Sequence, residues 1–287
     1  MPATLWSQPT WCRTTTLAFV SDAVERRLVF GSVAEHYDRH RPSYSPELVD
    51  YVLSYAGAVT GDHALEVGAG TGIATRQFAA RGLAITAVEP DPAMAAVASE
   101  RAASDGTTVD LRITDFEHVE FEPHSFQLVY SATAWHWTDP DISYARAARA
   151  LRSGGALATF WNRPVWDGNP IRPGFDAAYA SVADAFKEVG AGPMNPIGEL
   201  ELITGDHWRD ELKRSPELGD PEVLTFRRIQ TYTRDEYLGL LGTHSDHILI
   251  GDENRGRLLD GVAAAIDANG GSFEMTYQSL LCLARRS

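Results

Sequence analysis

From His63 onward, short apolar runs take turns with stretches of helical period, and this alternation constrains the fold more than any other feature of the chain. Apolar runs of that length read as strands buried on both faces, and the helical stretches between them supply the crossovers that a parallel sheet needs. The spacing predicts strands over residues 64–67, 84–89, 109–114, 126–132 and 156–161, with helices over 73–81, 92–103 and 141–152. Five strands running one way make a doubly wound α/β core. Upstream, Ser45-Pro46-Glu47 opens another helix. Ser45 can cap free N–H groups and Pro46 suits the first helical position.

Beyond Trp161 the pattern changes to Pro- and Gly-rich loops around an expected helix over 175–189, with Phe175, Tyr179, Val182, Phe186 and Val189 on one face. Residues 163–220 therefore read as a helical insertion, expected to cap the substrate. Strand character returns over 223–231, where the alternation slips phase at Arg227-Arg228 and suggests a bulge. Two helices are expected next. The second covers 253–267, carries Leu258, Leu259, Val262 and Ile266, and stops at Asn269-Gly270-Gly271. Phe273, Met275 and Tyr277 then alternate into a last strand reaching Leu283. With that strand inserted antiparallel, the sheet would have seven strands. The expected organisation is an uninterpreted extension over 1–29, a core with N-terminal helices over 30–162, the insertion over 163–220, and the end of the core over 221–287.

The formal net charge of -14 argues against partners held through their phosphates, so neither nucleic acid nor a membrane surface is expected. Cys12 and Cys282 lie at opposite ends of the chain and form no disulfide or zinc pattern. Residues 1–20 lack the apolar run of a signal peptide, and no run approaches the ~20 residues of a membrane-spanning helix. A cytoplasmic protein acting on a small molecule is the expectation.

The chemistry concentrates at Glu66-Val67-Gly68-Ala69-Gly70-Thr71-Gly72, between a predicted strand and a predicted helix. Its glycines permit a tight turn and let main chain approach a ligand closely. The next strand ends at Glu89, nineteen residues after Gly70, where a carboxylate can accept from two ribose hydroxyls. Together they suggest a nucleoside-containing cofactor. A dinucleotide fingerprint needs G-x-G-x-x-G, whereas Gly68, Gly70 and Gly72 are evenly spaced, which disfavours a nicotinamide cofactor.

The E-x-G-x-G-x-G run resembles the first motif of class I S-adenosylmethionine-dependent methyltransferases. The resemblance implies a Rossmann-like, doubly wound, seven-stranded and mostly parallel sheet with N-terminal helices and a helical insertion after the fifth strand. It also implies S-adenosyl-L-methionine as cofactor. By this resemblance Glu66, Gly68, Ala69, Gly70 and Gly72 cradle the methionine half, Glu89 and Pro90 hold the ribose, and Asp115 and Phe116 meet the adenine. Tyr37, Arg41, Met94, Ser131, Ala132 and Trp135 complete the implied cofactor set. The stretch Thr133-Ala134-Trp135-His136-Trp137 is similar to a small-molecule branch that includes trans-aconitate methyltransferases, as is the segment from Phe30 to Tyr44.

Tyr44, His136, Trp137, Trp161 and Asn162 are the expected substrate residues, and His136 is the candidate catalytic base, because an imidazole titrates near neutral pH. His136 can equally serve to orient a neighbour. Trp135, Trp137, Trp161 and Trp166 suit either a pocket wall or core packing. Arg41 and Tyr37 suit a carboxylate, or Arg41 a surface pairing with Asp38 or Glu35. His244 and His247 have the spacing of a metal pair, but no metal is assigned. The competing readings are a nicotinamide-dependent oxidoreductase and a non-catalytic S-adenosylmethionine-binding protein.

Overall fold

The structure is a computed structural model and describes residues 34–189 and 206–287. The extension 1–29, Cys12, the start of the Phe30–Tyr44 segment and positions 190–205 of the expected insertion lie outside the described residues.

A single seven-stranded sheet organises the chain, in the order β3-β2-β1-β4-β5-β7-β6. Its strands are β1 (His63–Val67), β2 (Ala84–Val88), β3 (Val109–Arg112), β4 (Phe126–Ala132), β5 (Leu151–Val165), β6 (Glu222–Thr233) and β7 (Ser272–Arg285). The first five pair in parallel, and β7 runs antiparallel to both β5 and β6. The strand order reverses at β1/β4, the place where open α/β sheets leave a crevice at their carboxyl ends.

Helices cover both faces. Ahead of the sheet come α1 (Ala34–His40) and α2 (Pro46–Ala56), then α3 (Ile73–Ala79), α4 (Pro92–Ser104) and α5 (Pro140–Ala150) as crossovers. Ser45 Oγ accepts from Leu48 N at 3.2 Å, the cap that the sequence anticipates. On one face Leu48, Val49 and Val52 of α2 and Phe78 of α3 pack against Ala64, Leu128, Tyr130 and Phe160. On the other, Tyr144, Ala147 and Ala148 of α5 pack against Leu65, Val67, Val129 and Leu157. Even-numbered and odd-numbered residues of β1 serve opposite faces, as the pleat dictates, so β1 is apolar on both. The exception, Glu66, belongs to the site.

A third apolar cluster lies beyond the core. It joins α6 (Arg172–Ala180) and α7 (Ala183–Glu188) to α9 (Arg234–Leu241) and α11 (Asp252–Ala268), through Phe175, Tyr179, Phe186, Tyr237, Leu258 and Val262. Of two further short helices, α8 (Asp206–Leu212) packs Leu212 and Trp208 against the core cluster that holds Trp161, and α10 (Ser245–Leu249) precedes α11. The helical layer over this end of the sheet is thus assembled from two distant stretches of chain. Space decides this: a Cβ on Gly174 of α6 would stand 2.6 Å from Ala265 Cβ of α11, so the two helices meet where only glycine fits.

Three expectations need correction. The 175–189 helix is two helices, because the apolar residues keep one face across the turn at Ser181-Val182 while the helical hydrogen bonds do not continue. Periodicity registers the face and not the bonds. The bulge expected at Arg227-Arg228 is absent, since the β6/β7 register runs unbroken from Glu222↔Leu283 to Thr233↔Ser272. What the sequence shows as a slip is a polarity inversion: Ile229 is 63% exposed on this edge strand, and Arg228 turns inward to donate to Ser43 Oγ at 2.9 Å and to Gln230 Oε1. Finally, three helices separate β6 from β7, the additional one being the five-residue α10.

Candidate active site

The glycine-rich loop leaves β1 at Val67 and enters α3 after Gly72. Gly68, Gly70 and Gly72 all have positive φ (72°, 57° and 81°), a region in which a side chain costs about 1–2 kcal/mol. At Gly68 a second constraint acts, because a Cβ there would lie 2.4 Å from Ala134 Cβ, in the loop after β4. Gly68 N and Ala69 N donate to Val88 O at 2.9 and 3.0 Å, which ties the loop to the tip of β2. Met94 closes its outer side, 3.6 Å from where a Gly70 Cβ would stand.

Glu89 follows β2 directly and is 7% exposed. Its carboxylate accepts from Gly70 N at 2.8 Å and from Asp91 N at 2.9 Å, so the acid and the glycine loop form one rigid unit. Asp91 caps α4 through Ala93 N and Met94 N. Beneath the loop, Glu66 is 1% exposed. Its Oε2 accepts from Thr75 Oγ1 at 2.5 Å and from Tyr130 OH at 3.0 Å, while Oε1 is buried without a partner. Desolvation dominates and pushes its pKa up to about 7; the two hydroxyl donors oppose this, and the Glu89 charge adds to it. Thr75 and Tyr130 were not anticipated as site residues. The β1/β4 register, which sets Glu66 beside Tyr130, is what brings them together.

Past β3, Asp115 Oδ1 accepts from His118 N at 3.0 Å and Phe116 packs against Trp135, ring centroids 5.8 Å apart. Ser131 Oγ donates to Val67 O at 2.8 Å, locking β4 to β1 below the loop. Thr133 then takes a left-handed φ of 60°, its N–H donating to Phe160 O at 2.7 Å and its hydroxyl pairing with Tyr44 OH at 2.7 Å. That bend starts the single turn Trp135–Trp137.

The tryptophans divide. Trp135, Trp161 and Trp166 are 2%, 1% and 4% exposed, with their rings in the cores, whereas Trp137 is half-buried beside His136. Trp161 stacks on Trp208 at 4.2 Å and donates its indole N–H to His136 Nδ1 at 3.2 Å. Protein crowds the His136 ring on most sides while its outer surface stays open to solvent, as befits a group set into a concave wall. Desolvation first and the Arg163 charge second push its pKa down to about 4; the open surface moderates the first influence and leaves its direction unchanged. With Nδ1 accepting from Trp161, the proton of the neutral ring resides on Nε2.

The N-terminal helix is tied to the helices that follow β1 and β2. Buried Asp38 binds Arg76 of α3 at 3.0 Å and Arg101 of α4 at 2.8 Å. Arg41 stacks over Tyr37 at 4.8 Å and donates to Thr243 Oγ1 and O at 2.9 and 3.2 Å, so it pairs with neither Asp38 nor Glu35. Asn162 donates to Ser43 O at 3.1 Å and accepts from Ser279 Oγ at 2.6 Å, which fixes the connection between α1 and α2. Pro90 lies between Glu89 and Asp91, and Ala132 closes β4. The residues expected to hold the cofactor therefore lie at or past the carboxyl ends of β1, β2, β3 and β4, with Tyr37 on α1 and Arg41 directly after it. Tyr44, His136, Trp137, Trp161 and Asn162 gather around the ends of β4 and β5.

His244, Asp246 and His247 have ligand atoms within 4.8 Å of one another. His247 is satisfied as a neutral core histidine, bonded to Leu241 O at 3.0 Å and to Tyr179 OH at 3.1 Å.

A seven-stranded sheet in this order, with a glycine loop after β1 and an acid after β2, defines the Rossmann-like methyltransferase fold. Residues 65–159 match the family described as methyltransferase domain. An uncharacterized methyltransferase of Mycobacterium tuberculosis is 38% identical over 159 residues, which cover 50% of this chain and 62% of that protein. The match thus spans less than two thirds of that relative. Among solved structures, a protein of Anaeromyxobacter dehalogenans assigned to the type II methyltransferases superposes with a TM-score of 0.59 at 19% identity, covering 85% of this chain and 97% of that one. Phosphoethanolamine N-methyltransferase 2 of Haemonchus contortus, in complex with S-adenosyl-L-methionine, gives 0.53 at 18%, covering 96% and 61%.

Proposed function

We propose that this chain transfers the methyl group of S-adenosylmethionine to a small-molecule acceptor, with an oxygen nucleophile favoured. The observation that carries the reading is the orphaned Glu66 Oε1, buried beneath a glycine loop that Glu89 holds in shape. An acid with one partnerless oxygen suits a cationic hydrogen-bond donor, and the amino group of the cofactor's methionine half is one. Glu89, at the tip of β2 and bound to the loop through Gly70 N, is the type of acceptor that ribose hydroxyls need. The cofactor, when bound, supplies a methyl group on a positively charged sulfur whose leaving form is neutral.

The residues around the ends of β4 and β5 position the acceptor. Holding the reacting atoms in line is worth about 7–11 kcal/mol, so orientation alone can carry most of the rate. His136 is neutral at pH 7, and with Nδ1 occupied it presents Nε2–H toward the open side. That edge orients an acceptor better than it removes a proton. A carboxylate oxygen needs no base, which is why oxygen is favoured over a protonated amine.

The reading predicts a raised melting temperature with S-adenosylhomocysteine and none with NADH. Mass spectrometry of the protein incubated with S-adenosylmethionine and a metabolite extract should then show a product heavier by one methyl group. Stabilisation by NADH instead, or cofactor binding with no methylated product from any extract, would overturn it.

A further inference from the structure

Arg163 lies on β5 two residues past Trp161, on the same face of the strand, paired in register with Gln278. Arg76, Arg81, Arg101 and Arg152 each hold a carboxylate. Arg163 is mostly enclosed, yet among the described residues it has neither a hydrogen-bond acceptor nor an ion-pair partner. Burial lowers its pKa from the ordinary guanidinium value. A chain with 39 acidic residues against 25 Lys and Arg does not lack carboxylates to place there. A cation drawn out of water without an anion costs folding free energy, and such sites persist where a ligand completes them. Trp161, on that same face, donates to His136 Nδ1 at 3.2 Å, and His136, its outer surface open to solvent and its ring 4.8 Å from that of Trp137, also feels the Arg163 charge.

We propose that Arg163 is the anion-recognising residue of the acceptor site: the substrate carries an oxyanion, carboxylate or phosphate, held by this guanidinium and distinct from the atom that receives the methyl group beside His136. The inference rests on the methyl-transfer reading above. Oxygens held by a guanidinium have their lone pairs engaged by donors and are poorer nucleophiles, which separates the recognised group from the reacting one. In the transfer itself, the acceptor's lone pair forms the bond to the methyl carbon as the carbon–sulfur bond breaks, and that bonding pair stays on sulfur. The anion at Arg163 is unchanged throughout.

An anion seated on Arg163 offsets the charge that His136 feels, so the imidazole reports binding without any turnover. The full-length protein is titrated by NMR, the His136 Cε1–H resonance being assigned with His136→Gln, in buffer alone, with malonate, and with inorganic phosphate. The expected result is an upward move of the His136 pKa by about half a unit or more with one of the probes at millimolar concentration. Malonate acting alone identifies a carboxylate site, and phosphate acting alone a phosphoryl site. Arg163→Ala should show the raised value without any anion and no further response, while Arg163→Lys should keep the response. A wild-type His136 indifferent to both probes, or an Arg163→Ala protein responding as wild type does, overturns the proposal. The melting shift with S-adenosylhomocysteine, measured on the same samples, tests the cofactor reading separately and shows that each variant is folded.

Discussion

Glu66 offers the sharpest test of how this site is built, because its burial has a consequence in the absence of any ligand. Its folded-state pKa, about 7, stands above the ordinary 4.5. The folded protein therefore holds this proton more tightly than the unfolded chain. The associated stability is fully present below pH 4.5 and is lost as pH rises through 7. At ~1.4 kcal/mol per pKa unit, the difference between 7 and 4.5 amounts to about 3 kcal/mol. Glu66→Gln keeps the shape and removes the charge, and both the Thr75 and Tyr130 hydroxyls can turn to suit the amide. Equilibrium urea denaturation of both proteins at pH 5 and pH 8.5 should show the variant gaining most of that ~3 kcal/mol on the wild type between the two pH values. That corresponds to roughly 6–12 °C in melting temperature for a domain of this size. Parallel pH profiles would refute the argument, since groups other than Glu66 contribute equally to both. Cofactor binding should respond in the opposite sense. If an ammonium group meets Oε1, affinity of the wild type for S-adenosylhomocysteine rises as pH passes through 7, and in Glu66→Gln binding is weaker and that slope disappears.

Glu89→Ala should weaken S-adenosylhomocysteine binding about 10- to 150-fold in calorimetry, on an estimate of ~1.5–3 kcal/mol for one hydrogen bond to a charged group; unchanged affinity would remove the ribose assignment. Gly68→Ala meets both a left-handed φ and the Ala134 methyl, and should cost about 2–4 kcal/mol of stability in denaturant titration. A loss below 1 kcal/mol would mean that the loop after β4 gives way freely. Trp161→Phe removes the donor that occupies His136 Nδ1, so the His136 pKa should rise when followed by NMR; an unmoved titration would show that the indole bond does not hold the tautomer.

The core was legible in the chain because its signals are local. A strand such as β4 buries both faces, so Phe126 to Ala132 reads as one apolar run, and Ser45-Pro46 is a cap whose partners lie within three residues. The glycine spacing was equally legible, since a turn that needs three left-handed residues must be written in glycine. Less was visible near β6, where the edge position lets Ile229 face outward and draws Arg228 inward, inverting the polarity that a sequence pattern relies on.

By itself, the sequence determined the doubly wound sheet, its antiparallel last strand and the position of the glycine loop between β1 and α3. Those features follow from periodicity and from backbone conformations that few residues can adopt. Only the tertiary structure decided that Thr75 and Tyr130 share one carboxylate oxygen of Glu66, that Trp161 holds His136, that Arg41 ends on Thr243, and that Arg163 meets no anion among the described residues. Each of these joins residues far apart along the chain, and a side chain's partner is set by strand register and helix packing, neither of which any local stretch of sequence specifies.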